Sequence, residues 1–136
     1  MQRDDDLERQ ARIVVNCCFR LHEDLGPGLL ESAYEQLLFE LLGRAGLSVV
    51  RQVPVTLQYE GIIIERAFKA DMVVGNKLVL ELKATDKVSA VHAKQLYTYL
   101  RLMRMPLGLL INFGLGTIKQ GLQRVANDYH SGWTRS

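Results

Sequence analysis

Residues 68–83 constrain the fold more tightly than any other stretch, because their alternation dictates their own pairing. Phe68, Ala70, Met72 and Val74 form one apolar row, and Leu78, Leu80 and Leu82 form another. Side chains on a strand alternate between faces, so each row belongs to one face, and both rows should enter the same core. A two-residue loop at Gly75-Asn76 would pair Val74 with Lys77 and put the rows on opposite faces, since a one-residue slip inverts a strand. A three-residue connection through Gly75, Asn76 and Lys77, or a bulge, instead pairs Val74 with Leu78, Met72 with Leu80 and Ala70 with Leu82.

On the other face, this register sets Asp71 opposite Glu81 and Lys69 opposite Lys83. Facing carboxylates repel by roughly 3 kcal/mol at about 5 Å in an effective dielectric of about 20. A divalent cation between them reverses the sign. Oxygen ligands without cysteine or histidine suit Mg²⁺ or Mn²⁺ better than Zn²⁺. Lys83 projects from the same face as Glu81 and could hold a water or a phosphate oxygen. The bland alternative is a solvated face of alternating charge.

These residues carry a family resemblance. Asp71 followed by Glu81-Leu82-Lys83 at the end of the next strand resembles the signature of the PD-(D/E)xK nuclease superfamily. Gly28-Leu29-Leu30-Glu31-Ser32-Ala33-Tyr34 is similar to the GxxExxY motif of one small bacterial family within it. The likeness spans residues 8–126. Ala70 stands where the eponymous proline would be, a position that only shapes the strand.

The rest of the chain supplies elements around this hairpin. Leu7, Ala11, Val14, Val15, Cys18, Leu21 and Leu25 recur at helical spacing over residues 7–25, with Asp4 to Asp6 as N-cap candidates and Gly26-Pro27-Gly28 as the stop. A second helix is expected over residues 29–45, with Leu30, Tyr34, Leu37, Leu38, Leu41 and Leu42 as its apolar stripe. Glu31 and Glu35 lie one turn apart on it, which by itself is a favourable acidic edge near a helix N-terminus. Cys17 and Cys18 are neighbours in a helical pattern, so an internal bridge is disfavoured and core filling is expected.

Residues 48–59 read as a strand with Pro54 suggesting an edge, and residues 62–74 as a long returning strand. With residues 77–83 they make an antiparallel meander. A helix over residues 87–105 follows, capped by Thr85 or Asp86, with Val91, Leu96, Leu100 and Met103 on its buried side. Residues 107–113 are continuously apolar, as in a central strand buried on both faces, and the preceding helix makes a crossover to a parallel neighbour. Residues 117–125 read as a last, weaker strand, and a loose tail is expected over residues 127–136.

Composition bounds the partners. The chain has 136 residues, enough for a single domain over residues 1–126 with a real core. Its net charge is only +2, so a nucleic-acid footprint must be a local patch. No apolar run approaches the roughly 20 residues of a membrane span, and the Met1-Gln2-Arg3-Asp4-Asp5-Asp6 start lacks the blocks of a signal peptide, so no membrane and a cytoplasmic location are expected.

The resemblance implies an α/β (α+β) fold with a restriction-endonuclease-like core, a mixed sheet flanked by helices. It implies metal-dependent hydrolysis of phosphodiester bonds in DNA or RNA, with Mg²⁺ or Mn²⁺ held by Asp71, Glu81, the Leu82 carbonyl and Glu31. Lys83 would orient water or stabilise developing charge. Gln95 and Tyr99 are similar to the QxxxY element of RecB-like members and would position substrate; a polar helix face is the alternative. His92 alone reads as a surface histidine. Lys69, Lys87, Lys94, Arg101 and Arg104 are candidate phosphate contacts. With no second domain for sequence reading, substrate choice would come from a protein partner, a homo-oligomer or nucleic-acid shape. The rival is a non-catalytic nuclease-like module that binds nucleic acid or assembles with itself.

Overall fold

A chain that begins Asp4-Asp5-Asp6 ahead of a helical apolar stripe brings its own N-cap. In the computed structural model, which describes residues 4–87 and 89–127, the Asp4 side chain accepts the Leu7 N–H at 3.0 Å and opens helix α1 (Asp5–Leu25). Asp5, Asp6 and Glu8 then sit in the first turn, where negative charge favours the helix dipole. Leu7, Ala11, Val14, Cys17, Cys18 and Leu21 are buried along one stripe, and both cysteines are free thiols inside the core. Helix α2 (Glu31–Arg44) buries Tyr34, Leu38 and Leu42 but leaves Leu30 and Leu37 exposed, a narrower stripe than the sequence suggested.

Strands β1 (Val49–Tyr59), β2 (Ile62–Val74) and β3 (Leu78–Lys83) form the antiparallel meander. The expected three-residue connection is present: Gly75 and Asn76 both take positive φ, +58° and +59°, and the Lys77 N–H donates to the Val74 carbonyl at 3.1 Å. Val74 pairs with Leu78 and Met72 with Leu80, as the apolar rows require, and there the β2–β3 ladder ends. Helix α3 (Ala90–Met103) crosses over so that β4 (Leu107–Asn112) lies parallel to β3. A short helix α4 (Ile118–Gly121) leads into β5 (Leu122–Ala126), antiparallel to β4. The sheet order is β1-β2-β3-β4-β5.

Two apolar clusters sandwich this sheet. Met72, Val74, Leu78, Leu80, Leu82, Leu109 and Ile111 pack with the stripes of α1 and α2. Ala70, Val73, Val79 and Leu110 pack with Leu96 and Leu100 of α3. With helices on both sides, every residue of β4 is buried, which accounts for its uninterrupted apolar run. Among the described residues no helix is long and apolar enough to cross a membrane.

Several expectations are corrected. Ala70 joins the α3-side cluster instead of the row of Met72 and Val74, and Phe68 stacks on Tyr99 of α3, with centroids 3.8 Å apart. The strict alternation is lost at Asp71, where the ladders on both sides of β2 are interrupted, so the pairing of Ala70 with Leu82 does not form. Helix α3 starts later than expected, capped by Ser89, whose Oγ accepts the Val91 N–H at 3.3 Å; Val91 is exposed. The last strand is shorter than expected because Thr117 and Gln120 close a reciprocal capping box that opens α4. Asn127, the first residue of the expected tail, is buried and its side chain donates to the Leu100 and Met105 carbonyls. Residues 128–136 lie outside the described residues.

Candidate functional site

Where the β2–β3 ladder stops, side chains take over from the backbone. The Asp71 N–H donates to Glu81 Oε1 at 3.1 Å, and the Leu82 N–H donates to Asp71 Oδ2 at 2.8 Å. Each carboxylate is thus fixed through one oxygen by the strand that carries the other, and the two acids are neighbours although the ladder pairing expected to set them face to face does not form. Lys83 ends β3 two residues beyond Glu81, where strand alternation returns to the same face.

The interruption has a visible cause on the neighbouring strand. Gln52 occupies the unpaired place between the Arg51–Met72 and Val53–Ala70 pairs, opposite Asp71, with a left-handed φ of +51°. A non-glycine residue held there is uncommon, and its conformation frees the side chain for work away from the ladder. Gln52 Nε2 donates to Glu35 Oε1 at 2.7 Å, and the amide lies near enough to Asp71 to pull its carboxyl slightly down. Glu35 Oε2 takes Arg51 through Nη2 at 2.7 Å and Nε at 3.2 Å. Glu35, Arg51 and Gln52 therefore form a linked polar group beside Asp71, which sequence reading missed. The only signal in the sequence was a glutamine interrupting the valines of β1, and a positive φ leaves no direct mark.

Glu31 stands at the first position of α2, and the turn before it is pinned from within. The buried Tyr34 hydroxyl donates to the Gly26 carbonyl and accepts the Leu29 N–H at 3.3 Å, while its ring stacks on Phe113 with centroids 4.4 Å apart. Gly28 has φ +123°, a backbone that other residues rarely adopt.

Electrostatics gather these groups into one site. Burial, and next the charge of Asp71, push Glu81 up to about 8, against smaller opposing effects of the Asp71 N–H and the Lys83 ammonium. Burial also raises Asp71, with the Glu35 charge adding to it; the Leu82 N–H, Lys83 and Gln52 pull the other way. Glu31 is raised by burial and then by Asp71. The Tyr99 phenol is raised by burial and then by Glu81 and Asp71, which places it within their field. Gln95 is exposed one turn earlier on α3 and, among the described residues, makes no hydrogen bond with the acid pair. His92 is half-buried near the start of α3.

The donor set can be tested against a divalent cation. Two partly desolvated carboxylates that repel each other, with one backbone-anchored oxygen apiece, fit a hard ion that binds through one or two carboxylates and keeps several waters. Among the described residues, no three histidine, cysteine, aspartate or glutamate side chains close into a ready-made cage. Glu31 lies within the field of Asp71 and Lys83.

The family model described as the PD-(D/E)XK nuclease superfamily matches residues 8–125. No curated protein and no solved structure matches the chain.

Proposed function

Because the chain belongs to the PD-(D/E)XK nuclease superfamily, we propose that it hydrolyses phosphodiester bonds of DNA or RNA at a divalent-metal site built on Asp71, Glu81 and Lys83. The observation that carries this reading is the reciprocal tie between Asp71 and Glu81, which holds two carboxylates together in a partly buried setting that raises both. Such an arrangement is unfavourable without a cation and is the usual mark of a functional site.

Asp71, Glu81 and the Leu82 carbonyl would hold Mg²⁺ or Mn²⁺, with Glu31 adding negative charge at the rim. When bound, the ion activates water and neutralises charge on the scissile phosphate. Lys83, whose charge acts on Glu31, Asp71 and Glu81 alike, is placed to orient a water or a phosphate oxygen. Tyr99, held flat against Phe68, and Gln95 one turn before it would guide the substrate backbone along α3. Lys69, Lys87, Lys94, Arg101 and Arg104 are phosphate contacts in this reading. Gly28, Glu31 and Tyr34 correspond to GxxExxY, and the Tyr34 pin supports that assignment, because it sets the turn that presents Glu31. A cytoplasmic location, and a protein partner or a second copy that selects the substrate, complete the proposal.

The rival reading is a non-catalytic nuclease-like module that binds nucleic acid or assembles with itself. The two are separated by incubating the chain with single-stranded and duplex DNA and RNA in Mg²⁺, Mn²⁺ or chelator, beside Asp71→Asn and Lys83→Ala. Cleavage that needs metal and is lost in both variants is expected. Binding without cleavage, or cleavage indifferent to chelator and to both substitutions, would remove the enzyme claim.

A further inference from the structure

Lys83 has a second neighbourhood besides the acid pair. Beyond it, at the carboxyl ends of the parallel strands β3 and β4, a cavity of about 200 Å³ opens between the start of α3 and the beginning of β5. Crevices at that end of parallel strands are where open α/β sheets bind ligands. Lys83, Lys87 and His92 line it together with the amides of Gln120 and Gln123 and the apolar side chain of Leu110; among the described residues no aspartate or glutamate does. Its rim is braced. Asn112 Oδ1 accepts the Thr85 and Gly114 N–H groups at 3.1 and 2.9 Å, and Nδ2 donates to the Lys87 carbonyl at 3.3 Å, so the loops on both sides are tied to one buried side chain. The cavity is formed before any ligand arrives.

We infer that this cavity receives the base and sugar of the nucleotide next to the scissile phosphate, and that the substrate must therefore be single-stranded at that position. The inference rests on the nuclease reading and narrows its substrate. Lysines at the mouth match phosphates on either side of the nucleotide. Amide and imidazole groups match the hydrogen-bonding edge of a base, and Leu110 offers an apolar wall for its face. The volume lies below the range of pockets for drug-sized ligands, giving room for one base and not for a base pair. A duplex would have to open or fray to fill it, whereas a free end, flap or loop would not.

The test uses the full chain in chelator, so that nothing is cut. The ¹⁵N-labelled protein is titrated with a short oligothymidylate and, separately, with a blunt-ended hairpin duplex, and affinities are taken by fluorescence anisotropy with the same labelled strands. The single strand should shift the side-chain amides of Gln120 and Gln123 and the backbone amides of Lys87 and His92, and the duplex should shift them less. Gln123→Trp, which fills the cavity from its rim, should weaken single-strand binding by about fivefold or more, the loss expected for one unseated base. Lys87→Ala is a second variant at the mouth and should weaken the same complex. Shifts confined to residues 71–83, equal responses to duplex and single strand, or unchanged affinity in both variants would overturn the inference. Metal-dependent cleavage without a cavity signal would sink this inference and leave the nuclease reading standing. A cavity signal without cleavage would sink the nuclease reading and still support a nucleotide site.

Discussion

At the residue scale, the acid pair makes a signed prediction about stability. With Glu81 pushed up to about 8 in the folded protein and an ordinary value of 4.5 as its reference, the native state holds a proton that the unfolded chain has released between those values. The folded state binds more protons across that window, so this group's contribution to stability is present below about pH 4.5 and is lost as pH rises through about 8. Asp71 is raised as well and acts in the same sense. Glu81→Gln keeps an oxygen for the Asp71 N–H and removes the charge. In chelator at pH 8.5 this variant should melt above the parent by a few degrees, and the difference should vanish near pH 4.5. A variant that melts below the parent at pH 8.5 would show that the repulsion is not felt. The closeness of these two acids was legible from the half of the register that holds, Val74 with Leu78 and Met72 with Leu80; the break at Asp71 that sends Ala70 to the other face was not. The polar group beside the acids was not legible either, because Gln52 reaches Glu35 through a backbone conformation that no local composition announces.

At the element scale, the joint between β4 and the short helix α4 carries the second prediction. A Cβ at Gly121 would stand 2.2 Å from the Asn112 carbonyl oxygen, backbone that cannot swing away. Gly121→Ala should therefore cost about 1–3 kcal/mol in denaturant unfolding, the range for overpacking a tight site. It should also loosen Asn112, which ties the rim loops together. An unchanged midpoint would mean that this approach is not as close as described. The sequence carried a sign of this joint, since Thr117 and Gln120 have capping-box spacing, yet the stretch also suits a weak strand and so was read as one. The start of α3 was misplaced for a related reason: Thr85, Asp86 and Ser89 are all competent caps, and only tertiary packing selects Ser89. The hairpin, the crossover and the central strand β4 were plain, because a period of two and an unbroken apolar run each have few structural solutions.

At the scale of the whole molecule, a mixed sheet covered on both faces turns the residues at its strand ends into the place where chemistry can occur. The ladder break inside β2 supplies Asp71, the end of β3 supplies Glu81, the first residue of α2 supplies Glu31, and α3 lays Tyr99 beside them. The fold class was readable from element order and from the motifs together, whereas the distance of Glu31 from the acid pair depends on where α2 docks, which no short motif encodes. The claim on which the account depends is that Asp71 and Glu81 share one divalent ion. It is tested most directly by titrating Mn²⁺ into the parent, Asp71→Asn and Glu81→Gln at pH 7, with free ion followed by electron paramagnetic resonance and proton release by calorimetry in two buffers. The parent should bind an ion, with uptake coupled to release of about one proton because Glu81 must ionise, and affinity should be at least about tenfold weaker in each variant. Equal binding by all three proteins, or uptake without proton release, would contradict it.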